Sequence, residues 1–150
     1  MVKIKICGIT NPDDAMAAVD FGADALGFVF FEDSPRYISL ENALPIIKTL
    51  PPFITTVGVF VNETAENIEK TVAASGIDMI QLHGDETPEM CRLSRSVIKA
   101  IRVKSLQSLD PLNNYKGFVT AFLLDTYTPD RLGGTGQIFN WDIAIEAKQF

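Results

Sequence analysis

The chain has 150 residues, of which 47% are hydrophobic and 21% are charged, and this balance is typical of one globular domain with a sizeable core. Its formal net charge of −6 at pH 7 opposes non-specific binding to nucleic acid or to an anionic membrane. The sequence shows no signal-peptide pattern and no apolar run long enough to span a membrane. Cys7 and Cys91 are far apart in the sequence, so they form no disulfide framework or metal-binding cysteine pattern. We expect a cytoplasmic protein with no nucleic-acid or membrane partner and no metal.

Short β-branched or aromatic runs alternate with amphipathic stretches along the chain. The runs start near Lys3, Ala25, Thr55, Met79, Val97 and Val119, and turn residues follow each of them. Helix-start signals are Asn11-Pro12-Asp13 before the first helix, Thr87-Pro88-Glu89 before the fourth, and Asn140 before the stretch that begins at Trp141. This alternation predicts six β/α units and a parallel sheet with helical crossovers.

Two segments of the chain resemble each other, which favours a repeating array over an irregular α/β domain. GADALG at 22–27 and GIDMIQ at 76–81 each place a glycine, an aspartate and two apolar residues at a helix-to-strand junction. An open dinucleotide-binding sheet would carry a GxGxxG turn after its first strand, and CGITNP is not one. A (β/α)8 barrel is therefore favoured. Eight units of roughly 23 residues need roughly 185 residues, so we expect 1–150 to be a single TIM-barrel-type domain with about six units, incomplete at its C-terminus.

The first predicted strand ends in Cys7, at the C-terminal end of the strands, which is the catalytic end of a β/α barrel. Catalytic residues of β/α barrels lie at the C-terminal ends of the strands. Alternation along KIKIC puts Lys5 and Cys7 on the face toward the barrel interior, and Ile4 and Ile6 on the face toward the helices. Cys7 is thus a candidate catalytic residue, and its alternative role is that of a small buried apolar side chain.

Other polar residues occupy matching positions. His83, the only histidine, ends MIQLHG, and Asp125 ends VTAFLLD; each has either a structural role, in a hydrogen-bonded wall or a loop cap, or a chemical one. Arg36 follows the second strand, where a guanidinium can clamp a carboxylate or be solvated. RLGGTGQIF after the sixth strand suits a lid or a backbone that approaches a ligand, and it lacks the P-loop pattern.

The motifs KICGIT, GADALGFVF, SPRYI, VGVFVN, IQLHGDE, LLDT, GGTG and FNW follow one another in this order. Together they resemble the phosphoribosylanthranilate isomerase family, which are β/α-barrel enzymes of tryptophan biosynthesis. The resemblance implies a cofactor-free Amadori rearrangement of N-(5-phosphoribosyl)anthranilate, a small phosphosugar, to 1-(2-carboxyphenylamino)-1-deoxyribulose 5-phosphate. It also implies that Cys7 is the general base, that Asp125 is the general acid and that Arg36 contacts the anthranilate carboxylate. His83 lies in a family motif and is a further substrate-binding candidate.

These implied roles set requirements on the site. The carboxyl group of Asp125 must hold a proton near neutral pH, and the thiol of Cys7 must lose one. Family members continue with a seventh and an eighth unit, whose glycine-rich loops hold the substrate phosphate. We therefore expect residues 1–150 alone to have little or no activity. The oligomeric state is expected to be a monomer or a homodimer.

Two other functions stay open at this point. One is a different cofactor-free phosphosugar isomerase or epimerase on the same barrel, which turnover of alternative pentose phosphates would reveal. The other is an inactive barrel fragment that self-associates through unpaired edge strands. A metal hydrolase ranks last, because one histidine and two separated cysteines give no credible ligand set.

Overall fold

The computed structural model describes residues 2–127 and 140–150, and they contain a six-stranded parallel sheet. Its strands are β1 (Lys5–Cys7), β2 (Ala25–Val29), β3 (Thr55–Phe60), β4 (Met79–Leu82), β5 (Ser96–Val103) and β6 (Ala121–Thr126). Strands that follow each other in sequence are also neighbours in the sheet, in the order β1 to β6. Every strand pair is parallel, as the sequence predicts, and the sheet curls into a half-barrel.

Helices connect the strands on the outer side of this sheet. They are α1 (Pro12–Asp20), α2 (Leu40–Thr49) and α3 (Ala65–Ser75) after β1 to β3, and α4 (Asp142–Glu146) after β6; 3₁₀ helices lie at Glu89–Cys91, Leu106–Tyr115 and Ala147–Gln149. The predicted cap at Asn11 is confirmed, since its side chain accepts a hydrogen bond from the backbone N–H of Asp14 at 2.8 Å. Asn140 Oδ1 accepts from the backbone N–H of Asp142 at 3.0 Å, but Asn140 lies one residue before the N-cap of α4, which is Trp141.

The expectation of a full helix after Thr87-Pro88-Glu89 is wrong. The chain after β4 first forms a loop in which the Glu86 carboxylate accepts hydrogen bonds from the backbone N–H of Gly84, and only the short 3₁₀ helix Glu89–Cys91 follows. The connection after β5 is also a 3₁₀ helix. Pro111 lies inside it and lacks the N–H group that an α-helix would use there.

The two similar segments make the same contact at two places in the sheet. Asp24, just before β2, accepts a hydrogen bond from the backbone N–H of Ile4 at 2.8 Å. Asp78, just before β4, accepts one from the backbone N–H of Thr56, also at 2.8 Å. Each aspartate therefore ties the start of its own strand to the start of the preceding one, and this gives the predicted repeat a physical role.

The two faces of the sheet have different characters. The outer face packs its apolar side chains against the helices, and Leu26, Phe28, Ile80 and Leu82 are 0% exposed there. The inner face carries Lys5, whose Nζ donates to Gln81 Oε1 at 2.7 Å. Because β1 and β4 are not neighbours in the sheet, this contact crosses the concave side, and it confirms that Lys5 points toward the barrel interior.

A buried ion pair fixes the loop after β4 to β5. Lys99 Nζ lies 2.9 Å from Glu86 Oε2, and the two side chains are 3% and 1% exposed. Lys99 also donates to the carbonyl oxygens of Gly84 and Ala100, and Glu86 Oε1 accepts from the backbone N–H of Asn62. Both charges are thus compensated by several hydrogen bonds, as burial of an ion pair requires.

We expect Lys99→Met to lower the free energy of unfolding by about 3–5 kcal/mol, because it leaves the buried Glu86 carboxylate without its cation. Lys70→Met is the matched control, since Lys70 pairs with Glu66 at 2.7 Å on an exposed helix face. Loss of that exposed pair should cost only about 0.3–0.5 kcal/mol. Urea unfolding followed by circular dichroism measures both values, and equal costs would contradict a structural role for the buried pair.

Candidate active site

Cys7 ends β1 at the C-terminal edge of the sheet, where its side chain is partly exposed. Its register partner on β2 is Gly27. A Cβ atom at position 27 would lie 2.8 Å from Cys7 Sγ, which is closer than such atoms approach. The glycine in GADALGFVF therefore makes room for the thiol, a role that the sequence pattern alone does not reveal.

The second cysteine has a different environment. Cys91 is 2% exposed in the core between the sheet and the helices, and its Sγ donates to the carbonyl oxygen of Thr87 at 3.4 Å. Burial raises the pKa of the Cys91 thiol, which keeps it protonated and unreactive. Cys91 is a core residue, whereas Cys7 is accessible at the strand ends.

Arg36 reaches from the loop after β2 to the end of β1. Its Nη1 donates to the carbonyl oxygen of Cys7 at 3.1 Å, and its side chain passes directly over Gly8. A Cβ at Gly8 would lie 2.5 Å from Arg36 Cδ, and the φ angle of +90° there also favours glycine. Gly8 thus permits the close approach that positions the guanidinium beside Cys7.

Hydrogen bonds connect four side chains across the inner face, and we refer to Lys5, Gln81, His83 and Asp125 as the inner-face chain. Lys5 Nζ donates to Gln81 Oε1 at 2.7 Å, Gln81 Nε2 lies 2.8 Å from His83 Nδ1, and His83 Nε2 lies 3.1 Å from Asp125 Oδ2. Three strands, β1, β4 and β6, contribute to the chain. It brings the predicted residues His83 and Asp125 into direct contact.

Gln81 is a site residue that the sequence analysis did not predict. It is 2% exposed and sits in an otherwise apolar strand. The signal that could have identified it is alternation within MIQLHG, because Gln81 and His83 are two residues apart and share one face of β4.

The electrostatic state of Asp125 differs from the one that an acid requires. The hydrogen bond from His83 is the main cause of a lowered pKa for the Asp125 carboxyl, and the backbone N–H of Thr126 and the positive charge of Arg36 add to it. Desolvation acts in the opposite direction and does not outweigh them. Without a ligand, Asp125 is therefore a carboxylate at neutral pH.

The four predicted site residues all lie at or just beyond the C-terminal ends of strands. Arg36 contacts Cys7, and His83 contacts Asp125. The charge of Arg36 is the smallest of the causes of the lowered pKa of Asp125. The segment RLGGTGQIF, 131–139, lies outside the described residues. Within the described part of the chain, no group of three or more His, Cys, Asp or Glu side chains is arranged to hold a metal ion.

Comparison with known proteins gives a consistent result. Residues 4–149 match the family model described as N-(5'phosphoribosyl)anthranilate (PRA) isomerase. A curated relative from Geobacter metallireducens, N-(5'-phosphoribosyl)anthranilate isomerase, is 56% identical over 151 residues, which cover 100% of this chain and 74% of the relative. The chain thus spans about three quarters of that relative's length.

Solved structures agree with the sequence matches. The crystal structure of phosphoribosyl anthranilate isomerase from Thermotoga maritima is 45% identical, superposes with a TM-score of 0.91, and the match covers 99% of this chain and 73% of that chain. Another phosphoribosyl anthranilate isomerase was solved in complex with reduced 1-(o-carboxyphenylamino)-1-deoxyribulose 5-phosphate. It is 47% identical with a TM-score of 0.80, and the match covers 85% of this chain and 66% of that one.

Because the His83 hydrogen bond is the main cause of the lowered pKa of Asp125, we expect His83→Ala to raise that pKa toward the ordinary carboxyl value of 3.8. Carboxyl ¹³C shifts followed against pH measure the change. Asp24 serves as the internal control, since its pKa is lowered by Lys3 instead and should not move. An unchanged titration of Asp125 would show that His83 does not control it.

The same shift predicts how stability depends on pH. A lowered pKa in the folded state stabilises the fold above the ordinary value of 3.8, and this contribution is lost as the pH falls through the lowered value. The free energy of unfolding should therefore fall more steeply below about pH 3.8 in the unmodified protein than in the Asp125→Asn variant.

Proposed function

The chain belongs to the N-(5'-phosphoribosyl)anthranilate isomerase family, and we propose that Cys7 and Asp125 carry out the base and acid steps of its reaction. The reaction converts N-(5-phosphoribosyl)anthranilate to 1-(2-carboxyphenylamino)-1-deoxyribulose 5-phosphate in tryptophan biosynthesis. The observation that carries the residue assignment is the position of Arg36. Its guanidinium donates to the Cys7 carbonyl at 3.1 Å, and Cys7 and Asp125 both lie on the inner face at the C-terminal ends of β1 and β6.

The chemistry proceeds in two proton transfers. Asp125 in its acid form protonates the furanose ring oxygen, so that the C1–O bond breaks and the nitrogen lone pair forms a Schiff base with C1. Cys7 as a thiolate then removes the proton from C2; the electron pair of that C–H bond forms the C1=C2 double bond, and the π pair of the C=N bond moves to the iminium nitrogen, which gives a neutral enolamine. Tautomerisation of the enolamine yields the ketose. Each transfer needs its group within hydrogen-bond reach of the substrate atom.

Substrate binding supplies the proton state that Asp125 lacks in the free protein. The positive charge of Arg36 contributes to the lowered pKa of Asp125. When Arg36 pairs with the anthranilate carboxylate, its charge is neutralised and this contribution disappears. The negative substrate and the exclusion of water both favour the neutral carboxyl. These effects all act to raise the pKa of Asp125 when the substrate binds, and they oppose the hydrogen bond from His83, which is the main cause of the lowered pKa.

We assign Arg36 to the anthranilate carboxylate and His83 to the wall of the same pocket. A planar guanidinium suits a carboxylate because two parallel N–H groups can meet its two oxygens. His83 is 12% exposed in its side chain, and it acts mainly through its bond to Asp125.

The location and the oligomeric state of the protein are the last part of this proposal. None of the helices within 2–127 and 140–150 has the length and apolar character needed to cross a membrane. We propose that the protein works in the cytoplasm as a monomer or a homodimer. Light scattering by the purified protein distinguishes these two states.

Cys7→Ser should lower kcat by about 10²–10⁴-fold, the range for loss of a general base, because a hydroxyl group is far less acidic than a thiol. The assay follows conversion of N-(5-phosphoribosyl)anthranilate by the unmodified protein and by each variant. Cys91→Ser is the matched control, since Cys91 is buried away from the strand ends and its loss should alter stability and not kcat. Near-normal turnover by Cys7→Ser would return Cys7 to a packing role.

Arg36→Met should weaken binding of the reduced product analogue by about 1.5–3 kcal/mol, the range for a hydrogen bond to a charged group. Isothermal titration calorimetry measures the dissociation constant, and Arg95→Met is the control because Arg95 is exposed just before β5 begins, at the other end of the sheet. The analogue that lacks the aromatic carboxylate should bind the Arg36→Met variant and the unmodified protein equally well. An equal loss for both ligands would remove Arg36 from the carboxylate site.

A further inference from the structure

The donor and the acceptor of each hydrogen bond in the inner-face chain can be assigned, beginning with Lys5. An ammonium group donates hydrogen bonds and accepts none. The atom of Gln81 that faces Lys5 at 2.7 Å must therefore be the carbonyl oxygen Oε1, which leaves the amide group Nε2 facing His83. An amide nitrogen only donates, so Nδ1 of His83 must accept.

The tautomer of His83 follows from this orientation. A neutral imidazole that accepts at Nδ1 carries its proton on Nε2. That nitrogen lies 3.1 Å from Asp125 Oδ2, so the proton points at the carboxylate. The other carboxylate oxygen, Oδ1, accepts from the backbone N–H of Thr126 at 2.9 Å. Both oxygens of Asp125 are held, and the orientation of the carboxylate is fixed.

We propose that Gln81 is a positioning residue which, with its amide held by Lys5, keeps Nδ1 of His83 unprotonated, so that His83 is the neutral Nε2–H tautomer and holds Asp125 in place for proton transfer. The proposal rests on the function assigned to Asp125 above. It adds that Gln81 and Lys5, which need not touch the reacting atoms, exclude a proton from the nitrogen of His83 that faces away from Asp125.

Burial makes this selection strict. Gln81 is 2% exposed and the side chain of His83 is 12% exposed, so water cannot readily replace a lost partner. If the amide of Gln81 turned over, its NH₂ group would face the ammonium of Lys5 and two donors would meet. A buried donor without an acceptor is costly. The amide therefore has one stable orientation, and the tautomer of His83 depends on it.

Gln81 acts on one nitrogen of His83 and Asp125 on the other. The Asp125 carboxylate only accepts, so it holds the proton on Nε2, whereas the Gln81 amide only donates, so it keeps Nδ1 free of a proton. Among the described residues on this side of the sheet, Lys5 binds Gln81, Arg36 binds the Cys7 carbonyl, and the Cys7 thiol lies at the end of β1. Arg102, the register partner of Asp125 on β5, binds Asp85 at 2.6 Å. β3 contributes Val57 and Val59 at the inner face, and neither titrates.

The test uses the fact that His83 is the only histidine among the 150 residues. Protein labelled with ¹⁵N-histidine gives one imidazole from this region, and long-range ¹H–¹⁵N spectra identify the protonated nitrogen. In the unmodified protein we expect the Nε2–H form. Gln81→Glu places an acceptor next to Nδ1 while Nε2 still donates to Asp125, so we expect protons on both nitrogens. Gln107→Glu is the matched control, because it adds the same charge at an exposed position and should leave the spectrum unchanged.

Activity supplies the second readout. Gln81→Glu should lower kcat by at least about tenfold and displace its pH profile, with a much smaller change in KM, because the substrate still meets Arg36. A purely structural role for Gln81 would not move the pH profile. If Gln81→Glu does not fold, the similarly sized variant Gln81→Met serves instead; it removes the donor to Nδ1, so we expect the Nδ1 signal and the pH profile to change.

The outcomes separate this proposal from the assigned function. A proton on Nδ1 in the unmodified protein would overturn the proposal, and so would a spectrum and pH profile that neither variant alters. Full turnover by Asp125→Asn would instead overturn the acid assignment. The spectra of the resting protein need no turnover, so they report on Gln81 whatever the activity of Asp125→Asn is.

Discussion

Parallel pairing of successive strands in register is the constraint on which this site depends, because it brings residues far apart in sequence to one edge and one face. Each strand ends at the same edge of the sheet, so Cys7 and Asp125 reach that edge from opposite ends of the chain. The aspartates before β2 and β4 reinforce the register at the other edge, where each binds the backbone of the preceding strand. A slip of one residue would turn every inward side chain outward.

The curl of the sheet adds the second condition. Polar side chains on a concave face lose water and must find partners among themselves. Lys5 and Gln81, on β1 and β4, meet across two intervening strands, and His83 meets Asp125 across β5. Such contacts would be too long on a flat sheet. The inner-face chain is therefore both a consequence of the curvature and a set of bonds that holds it.

The sequence was informative where local patterns decide the structure. The six strands, the cap at Asn11 and the repeated aspartate were all predicted from short segments, and the family motifs identified the enzyme. Long-range contacts were less accessible. The partner of Gln81 lies 76 residues away and that of His83 lies 42 residues away, so no local pattern identified their pairing. The helix expected after β4 is only the 3₁₀ helix Glu89–Cys91, because β5 begins at Ser96 and leaves too few residues for further helical turns.

The lowered pKa of Asp125 shows why an acid site cannot be read from residue types alone. The bond from His83 orients the carboxylate, and the same bond favours its charged form. A site that kept Asp125 protonated in the free protein would have to give up this orientation or bury the group further. Leaving the change of protonation to the bound substrate avoids that conflict, because the anthranilate carboxylate removes the effect of Arg36 only while it is bound. In the proposed mechanism, part of the substrate's binding energy is then used to form the acid, so the proposed contact between Arg36 and the carboxylate would contribute to turnover as well as to affinity.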